Sequence, residues 1–438
     1  MMDPQPLLIE HGRLVDPSQG IDRLARVLMS RGKVIAIDPC DDDLPDYHHH
    51  IDARNCIVAP GLVDLGTEFR EPGREEDETI ETGGAAAVAG GYTSVLCSAN
   101  TDPPIDTPAG VELVRRIAAA CAGPRVHVIA CASRGRDGEQ MAELGLLAEA
   151  GAIGFSDSPR PIHNSALLKY ALDYCRMFDL PIFDRPVDPD LVEDGVAHDG
   201  QVALVLGLKG LPTEAEELAV ARDVRLAEAT GGRLHVGPVS TMGSVDLLRR
   251  VKQRGIEVTA SVCPHNLWHS DEMLRSFDSR FKVHPPLRSD KHIESLINAV
   301  ADGTIDAIQS GHMPRAREKK MNDIDQAPFG ASTLETTLAV IATRLIHSGK
   351  MDWSQAIMRL STKPAKIAGI SAGTLAIGSP ADCVVINPNE TWKINSDDFY
   401  SQCHSSPHDG DEVTGRVVYT IVGGEIRFTR RPALQHLV

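Results

Sequence analysis

The sequence predicts an α/β protein, a (β/α)8 barrel of the metal-dependent hydrolase type with a small β-sandwich domain built from both chain ends. Three observations predict it. Between residues 58 and 371, eight short apolar runs alternate with stretches of helical composition; repeated β-α units form a parallel sheet, and eight of them close it. Residues 1–57 and 372–438 instead carry short β-like runs broken by turn residues. The 438-residue chain is 42% hydrophobic and 24% charged, long enough for a large core and ordinary in composition for a globular protein.

Taken in order, the first runs are Leu7-Leu8-Ile9, Leu14-Val15, Val27-Leu28-Met29 and Val34-Ile35-Ala36-Ile37, with turns predicted at Gly12, Asp16-Pro17 and Arg31-Gly32. His48-His49-His50 follows an acidic run and reads as a solvated loop ahead of a metal site. The barrel strands are expected at 62–65, 93–97, 126–130, 152–156, 181–183, 234–236, 257–261 and 306–310. The Ala/Gly stretch 83–91 fits close helix packing, since no G-K-[ST] follows it to make a phosphate loop. Thr213 and Glu216 match a capping box opening a helix that runs to Ala229, with Gly231-Gly232 as its stop. β texture returns at 383–386, 417–422 and 425–428, with Gly423-Gly424 as a hairpin turn.

Charge narrows the partners. With 44 basic and 61 acidic residues the net charge is −17, which repels phosphate backbones and anionic lipid surfaces, so neither nucleic acid nor membrane is expected. No apolar run reaches the about 18 residues that span a bilayer. The start, Met1-Met2-Asp3-Pro4-Gln5-Pro6, has no basic signal region, and the nine cysteines are scattered without a C-x-x-C pair. A cytoplasmic protein with reduced thiols is the expectation. Cys97, Cys131 and Cys263 sit in apolar strand contexts that suit packing.

The motifs form an ordered set. Pro60-Gly61-Leu62-Val63-Asp64-Leu65, Arg70-Glu71-Pro72-Gly73, Asn100-Thr101-x-Pro103 and Val239-Ser240-Thr241 come first. Cys263-Pro264-His265, Pro285-Pro286-Leu287-Arg288, Ala327-Pro328-Phe329-Gly330 and Gly378-x-x-Ala381-Asp382 follow. In this order they resemble the dihydroorotases of the amidohydrolase superfamily over nearly the whole chain. The resemblance implies hydrolysis of a cyclic amide by zinc, which lowers the pKa of bound water to about 7, with ligands at the C-terminal ends of barrel strands.

Against that pattern the ligand positions have changed. The family's D-x-H-x-H-x-R reads Asp64-Leu65-Gly66-Thr67-Glu68-Phe69-Arg70, so Gly66 and Glu68 hold the two histidine positions. Ser158, Arg185, Pro238 and Gly311 hold the remaining four ligand positions. Glycine and proline offer no side-chain ligand, and arginine keeps its proton. Asp157 stands one residue out of register. The resemblance assigns substrate-holding positions to Arg70, Asn100, His284, Arg315, Phe329 and Gly330; structural hydrogen bonding by Arg70 and Asn100 is the equal alternative to binding a small carboxylate. His235, His265, His284 and His312 fall near strand ends, and core or supporting roles are favoured over a new metal site.

The expectation is therefore a dihydroorotase-like pseudoenzyme with no catalytic residues, no metal and no zinc cofactor. By resemblance to inactive relatives, it is a structural or regulatory subunit in a hetero-oligomer with aspartate carbamoyltransferase of pyrimidine biosynthesis. The alternative is a divergent dihydroorotase or other cyclic-amide hydrolase with an atypical metal site. Arg185 is further expected to fill the vacated metal space and to pair with Glu68 across the mouth.

Overall fold

The structure, a computed structural model, describes residues 6–45 and 49–430. His48 and the outermost parts of both terminal segments lie outside the described residues. The chain opens with β1 (Leu7–Asp16), β2 (Ile21–Ser30), β3 (Lys33–Ile37), β4 (His49–Asp52) and β5 (Ile57–Pro60). β1, β2 and β3 are antiparallel neighbours, while β4 and β5 lie parallel to β1. Arg31 and Gly32 both have positive φ at the β2–β3 hairpin, as the predicted turn requires. Gly12, however, does not turn the chain. It sits inside β1 at a register shift, and a Cβ there would stand 2.5 Å from Val58 of β5, so the glycine serves close strand approach at a bulge. His49 and His50 belong to β4 rather than to a loop, and His50 Nε2 lies 2.8 Å from Glu10 Oε2.

After Gly61 the chain enters the barrel: β6 (Leu62–Thr67), β7 (Tyr92–Cys97), β8 (Arg125–Ala130), β9 (Ala152–Phe155) and β10 (Ile182–Asp184). A separate pair, β11 (Ala197–His198) and β12 (Gly210–Leu211), interrupts the series before β13 (Leu234–Val236), β14 (Val258–Val262) and β15 (Ala307–Ile308). The eight barrel strands are parallel and follow chain order from β6 to β15. Residues such as Val95, Val128, Val236 and Val262 are fully buried, because helices cover the outer face and side chains fill the centre.

Caps place the helices. Thr241 accepts from Ser244 N at the start of the helix Met242–Gln253, and Thr107 from Gly110 N ahead of Pro108–Ala120. Gly83 of the helix Ile80–Ala89 packs on Phe69, in keeping with the close-packing reading of the 83–91 stretch. The helix Thr213–Thr230 corrects a second expectation: Pro212 is its cap residue and Thr213 makes no capping hydrogen bond. Glu216 does not fold back on the helix start. Buried, it accepts from Ser240 N, Ser240 Oγ and Thr241 N, tying the helix to the loop after β13.

The chain returns through β16 (Cys383–Lys393), β17 (Glu412–Val422) and β18 (Glu425–Thr429). β16 pairs with β5, so both chain ends share one path, β18-β17-β16-β5-β1-β2-β3, with β4 on β1. This sheet folds in a sandwich-like manner around its own core of Leu7, Ile9, Leu14, Val385, Val418 and Ile421. Among the described residues no helix is long and apolar enough to cross a membrane.

No ladder joins β15 to β6. The seam is closed instead by Asp64, whose Oδ1 accepts from Ser310 N at 2.7 Å and whose Oδ2 accepts from Ser310 Oγ at 2.6 Å and from Thr67 Oγ1. Glu68 N adds a bond to His312 O at 3.0 Å. An amide in place of the carboxylate would present a donor to two hydroxyls. Asp64→Asn should therefore cost about 2–4 kcal/mol, read as a lower midpoint of chemical denaturation; an unchanged midpoint would show that the seam holds without it.

Candidate functional site

Gly66 and Glu68 leave the end of β6, Ser158 follows β9, Arg185 follows β10, Pro238 follows β13 and Gly311 follows β15. All six line one narrow cavity of about 50 Å³ at the barrel mouth, together with His235, His284 and His312. The topology thus brings together the six positions that the sequence pattern singles out.

Glu68 is buried, and its carboxylate faces inward. Oε2 lies 2.6 Å from Arg70 Nη1 and accepts from Asn100 Nδ2 at 2.8 Å. Arg70 is wholly buried, with Nε donating to Pro314 O. Arg70 stands just past the end of β6 with a left-handed backbone, φ +63, and this turn of the chain leaves its guanidinium against the Glu68 carboxylate. The two side chains expected to hold a substrate carboxylate therefore hold a carboxylate of the chain itself. A ligand at Arg70 and Asn100 would first have to displace Glu68.

Arg185 lines the same cavity, 3% exposed. The expected ion pair with Glu68 does not form: Glu68 is taken by Arg70, its near neighbour, and Arg185 makes no salt bridge among the described residues. Arg185 Nε and Nη2 are buried without a hydrogen-bond partner. Burial pushes the guanidinium down to about 10, offset in part by Cys263 and Glu68, which leaves it a cation at neutral pH.

The other positions are engaged locally. Asp157 accepts from Ala132 N, Ser133 N and Ser133 Oγ, so its carboxylate is committed to the loop after β8 and is no substitute ligand. Ser158 N bonds Ser156 Oγ, and its carbonyl accepts from Arg136. His284 packs edge-on against Phe329, with ring centroids 5.3 Å apart. Arg315 donates to Phe329 O at 2.9 Å and lies 3.6 Å from Asp77. Gly330 N bonds Lys282 O. Of the six expected substrate-holding positions only His284 lines the cavity; Arg70, Asn100, Arg315, Phe329 and Gly330 are not part of its lining.

The rim histidines divide. His235 is satisfied on both nitrogens by Thr259 and Ser261 hydroxyls, and burial holds it near 3, a neutral ring. His312 Nδ1 accepts from Thr333 N, and Nε2 lies 3.5 Å from Glu78. His265 is buried with neither nitrogen partnered. The cysteines Cys97, Cys131 and Cys263 are buried, and desolvation raises each thiol, Cys97 to about 12. None is a nucleophile at neutral pH.

Zinc binding requires three or four convergent lone-pair donors. The six positions supply two glycines, a proline, an arginine, a serine and a carboxylate already paired, and that donor set does not fit the ion. Gly311 also has φ +69, and a Cβ there would come within 2.6 Å of Cys263 Sγ and 2.9 Å of His265 Cε1. A ligand side chain at 311 has neither the backbone nor the room.

Sequence reasoning missed three features: the Asp64 seam, the Glu216 tie, and a buried cluster of His269, His408 and Asp411. The spacing of His408 and Asp411 on one loop was a visible half of the last.

The profile described as Dihydro-orotase-like matches residues 55–244, and that of the Amidohydrolase family matches 203–427. A putative dihydroorotase of Rhodopirellula baltica is 62% identical over 434 residues, covering 99% of this chain and 95% of the relative. A dihydroorotase of Caldanaerobacter subterraneus subsp. tengcongensis is 41% identical over 424 residues, covering 97% of each. Among solved structures, the L-hydantoinase (dihydropyrimidinase) of Arthrobacter aurescens superposes with a TM-score of 0.87 at 24% identity, covering 96% of each chain. The dihydropyrimidinase of Brevibacillus agri superposes at 0.85 with 22% identity, covering 99% of this chain and 97% of its own. These two show a shared fold.

Two substitutions separate the roles of the buried charges. Glu68→Ala strands Arg70 and should cost about 3–5 kcal/mol, whereas Arg185→Met removes an unpaired buried cation and should be neutral or stabilising. Thermal unfolding of both variants checks this; a large destabilisation by Arg185→Met would mean that Arg185 has a partner.

Proposed function

Because this chain belongs to the dihydroorotase-like amidohydrolases, we propose that it is a member of that family without a hydrolytic centre, serving as a structural or regulatory subunit. The observation that carries the reading is Glu68 held by Arg70 and Asn100. A family ligand position has become a carboxylate that occupies the substrate grip, while Arg185 puts a fixed cation where a metal ligand is expected. A hydrolase of this type needs a water made acidic by a metal and a carbonyl polarised by it; Gly66, Pro238 and Gly311 offer neither ligand nor base.

The partner proposed is aspartate carbamoyltransferase, and what supports it is the resemblance to inactive family members. The mouth loops have a packing role of their own. Arg288 is buried and donates to Ser240 Oγ and Leu211 O, so retention of the 285–288 motif is accounted for by the fold alone.

A second reading, a cyclic-amide hydrolase with an atypical site, is favoured by the names of the relatives, which at 39–41% identity are called dihydroorotase.

We expect the purified chain to turn over neither dihydroorotate nor carbamoyl aspartate, with or without added zinc. Gly66→His combined with Glu68→His should not restore turnover, since positions 185, 238 and 311 still lack ligands. Zinc-dependent hydrolysis by the unmodified chain would overturn the proposal in favour of the second reading. Mixed with aspartate carbamoyltransferase at micromolar concentration, the chain should co-elute on size exclusion and raise the stability or activity of the transferase; separate elution with an unchanged transferase would remove the partner.

A further inference from the structure

Among the described residues, one group of three metal-competent side chains brings its ligand atoms within 4.8 Å of one another: His269, His408 and Asp411. None of the three lines the barrel cavity. His269 follows the short helix His265–Trp268 beyond β14, and His408 and Asp411 lie on the loop before β17. His269 Nε2 stands 3.1 Å from Asp411 Oδ2, and His408 Nδ1 stands 3.2 Å from the same oxygen. A tetrahedral zinc with bonds of about 2.0–2.1 Å has ligand–ligand edges of about 3.3 Å, so two edges are already near that length.

Hydrogen bonding alone leaves this cluster unsatisfied. Both imidazoles would have to donate to one oxygen, yet His269 Nε2 lacks the alignment and is buried without a hydrogen-bond partner. An unmet buried polar group costs about 1–3 kcal/mol. A cation between the three atoms would accept a lone pair from each. The backbone already holds them in place: Asp411 N bonds His408 O, Asp411 O accepts from Ile394 N, and His269 N bonds His265 O. The rings are stacked, with centroids 5.0 Å apart, and Trp268 and Phe281 pack edge-on against His408 and His269. Asp411 is about a quarter exposed, which leaves a way in and room for water as a fourth ligand.

We propose that His269, His408 and Asp411 form a structural site for a divalent cation of the zinc class, separate from the barrel mouth. Two imidazoles and one carboxylate suit such a borderline ion. The bound ion would join the segment beyond β14 to the C-terminal loop. That loop is tied to Ser332 N through Ser405 O and to Glu78 through Ser401, and Glu78 lies 3.5 Å from His312 of the cavity lining, so the site would brace the chain one residue behind the cavity.

The test uses the full chain, stripped with a chelator and titrated with Zn2+ against a chromophoric competitor. One equivalent should bind, and hydrogen exchange across residues 394–411 should slow on zinc addition. Loss of a ligand should weaken binding at least about 100-fold, since even outer partners of a metal site contribute 10–100-fold. His408→Gln and Asp411→Asn should therefore abolish binding at micromolar zinc, while His284→Gln, at the barrel mouth, retains it. If neither ligand variant folds, Co2+ bound to the unmodified chain decides: intense visible bands of four- or five-coordinate cobalt support the site, and weak octahedral bands overturn it. No stoichiometric zinc at micromolar concentration, or binding that survives both ligand variants, also overturns it. Zinc lost in His284→Gln but kept in His408→Gln would place the ion at the barrel mouth, sinking this assignment and, separately, the non-hydrolytic reading.

Discussion

A barrel of eight strands must join its last strand to its first, and here the joint is a single buried carboxylate. β15 contributes only Ala307 and Ile308 to a ladder, and on the side of β14. Asp64 supplies what the missing ladder would, bonding both the amide and the hydroxyl of Ser310. The Glu68–His312 backbone bond lies just beyond it. The loops after β6 and β15 are therefore held at a fixed spacing, and the arrangement of Gly66, Glu68, Gly311 and His312 around the cavity follows from it.

Above that joint the electrostatics are self-contained. Three carboxylates near the mouth are matched: Glu68 by the Arg70 guanidinium and the Asn100 amide, Asp157 by two amides and a hydroxyl, Glu216 by two amides and a hydroxyl. Such full pairing is what makes an ionised group tolerable away from water. Arg185 differs in having no carboxylate beside it among the described residues, and its Nε and Nη2 have no hydrogen-bond partner. A cation left in this state deters another cation from the same small space, which is a physical reason, beyond the lack of donors, why a metal ion does not fit the mouth.

The barrel was legible because a parallel sheet covered on both faces writes itself as short apolar runs. The end strands were legible from their turns, Arg31-Gly32 and Gly423-Gly424, where positive φ demands particular residues. Gly12 and Thr213 misled for one reason: glycine serves a bulge as well as a turn, and Thr-x-x-Glu serves a tertiary tie as well as a cap. In the site, position was readable and partnership was not. The family pattern located Glu68 and Arg185 on one rim but said nothing of who pairs with whom. The turn at Arg70, φ +63, brings it onto Glu68, and the nearer neighbour prevailed. His269 and His408 are 139 residues apart, a separation that only the fold brings together.

The backbone at Gly311 limits what that position can hold. The family pattern has an acidic residue at this position, and here Cys263 and His265 occupy the space its Cβ would need. At Gly66, by contrast, the obstacle is the flexible end of Gln309, which can swing aside. The two positions differ in what they can accept: a side chain at 66 finds room by a single substitution, whereas one at 311 needs its neighbours to give way first.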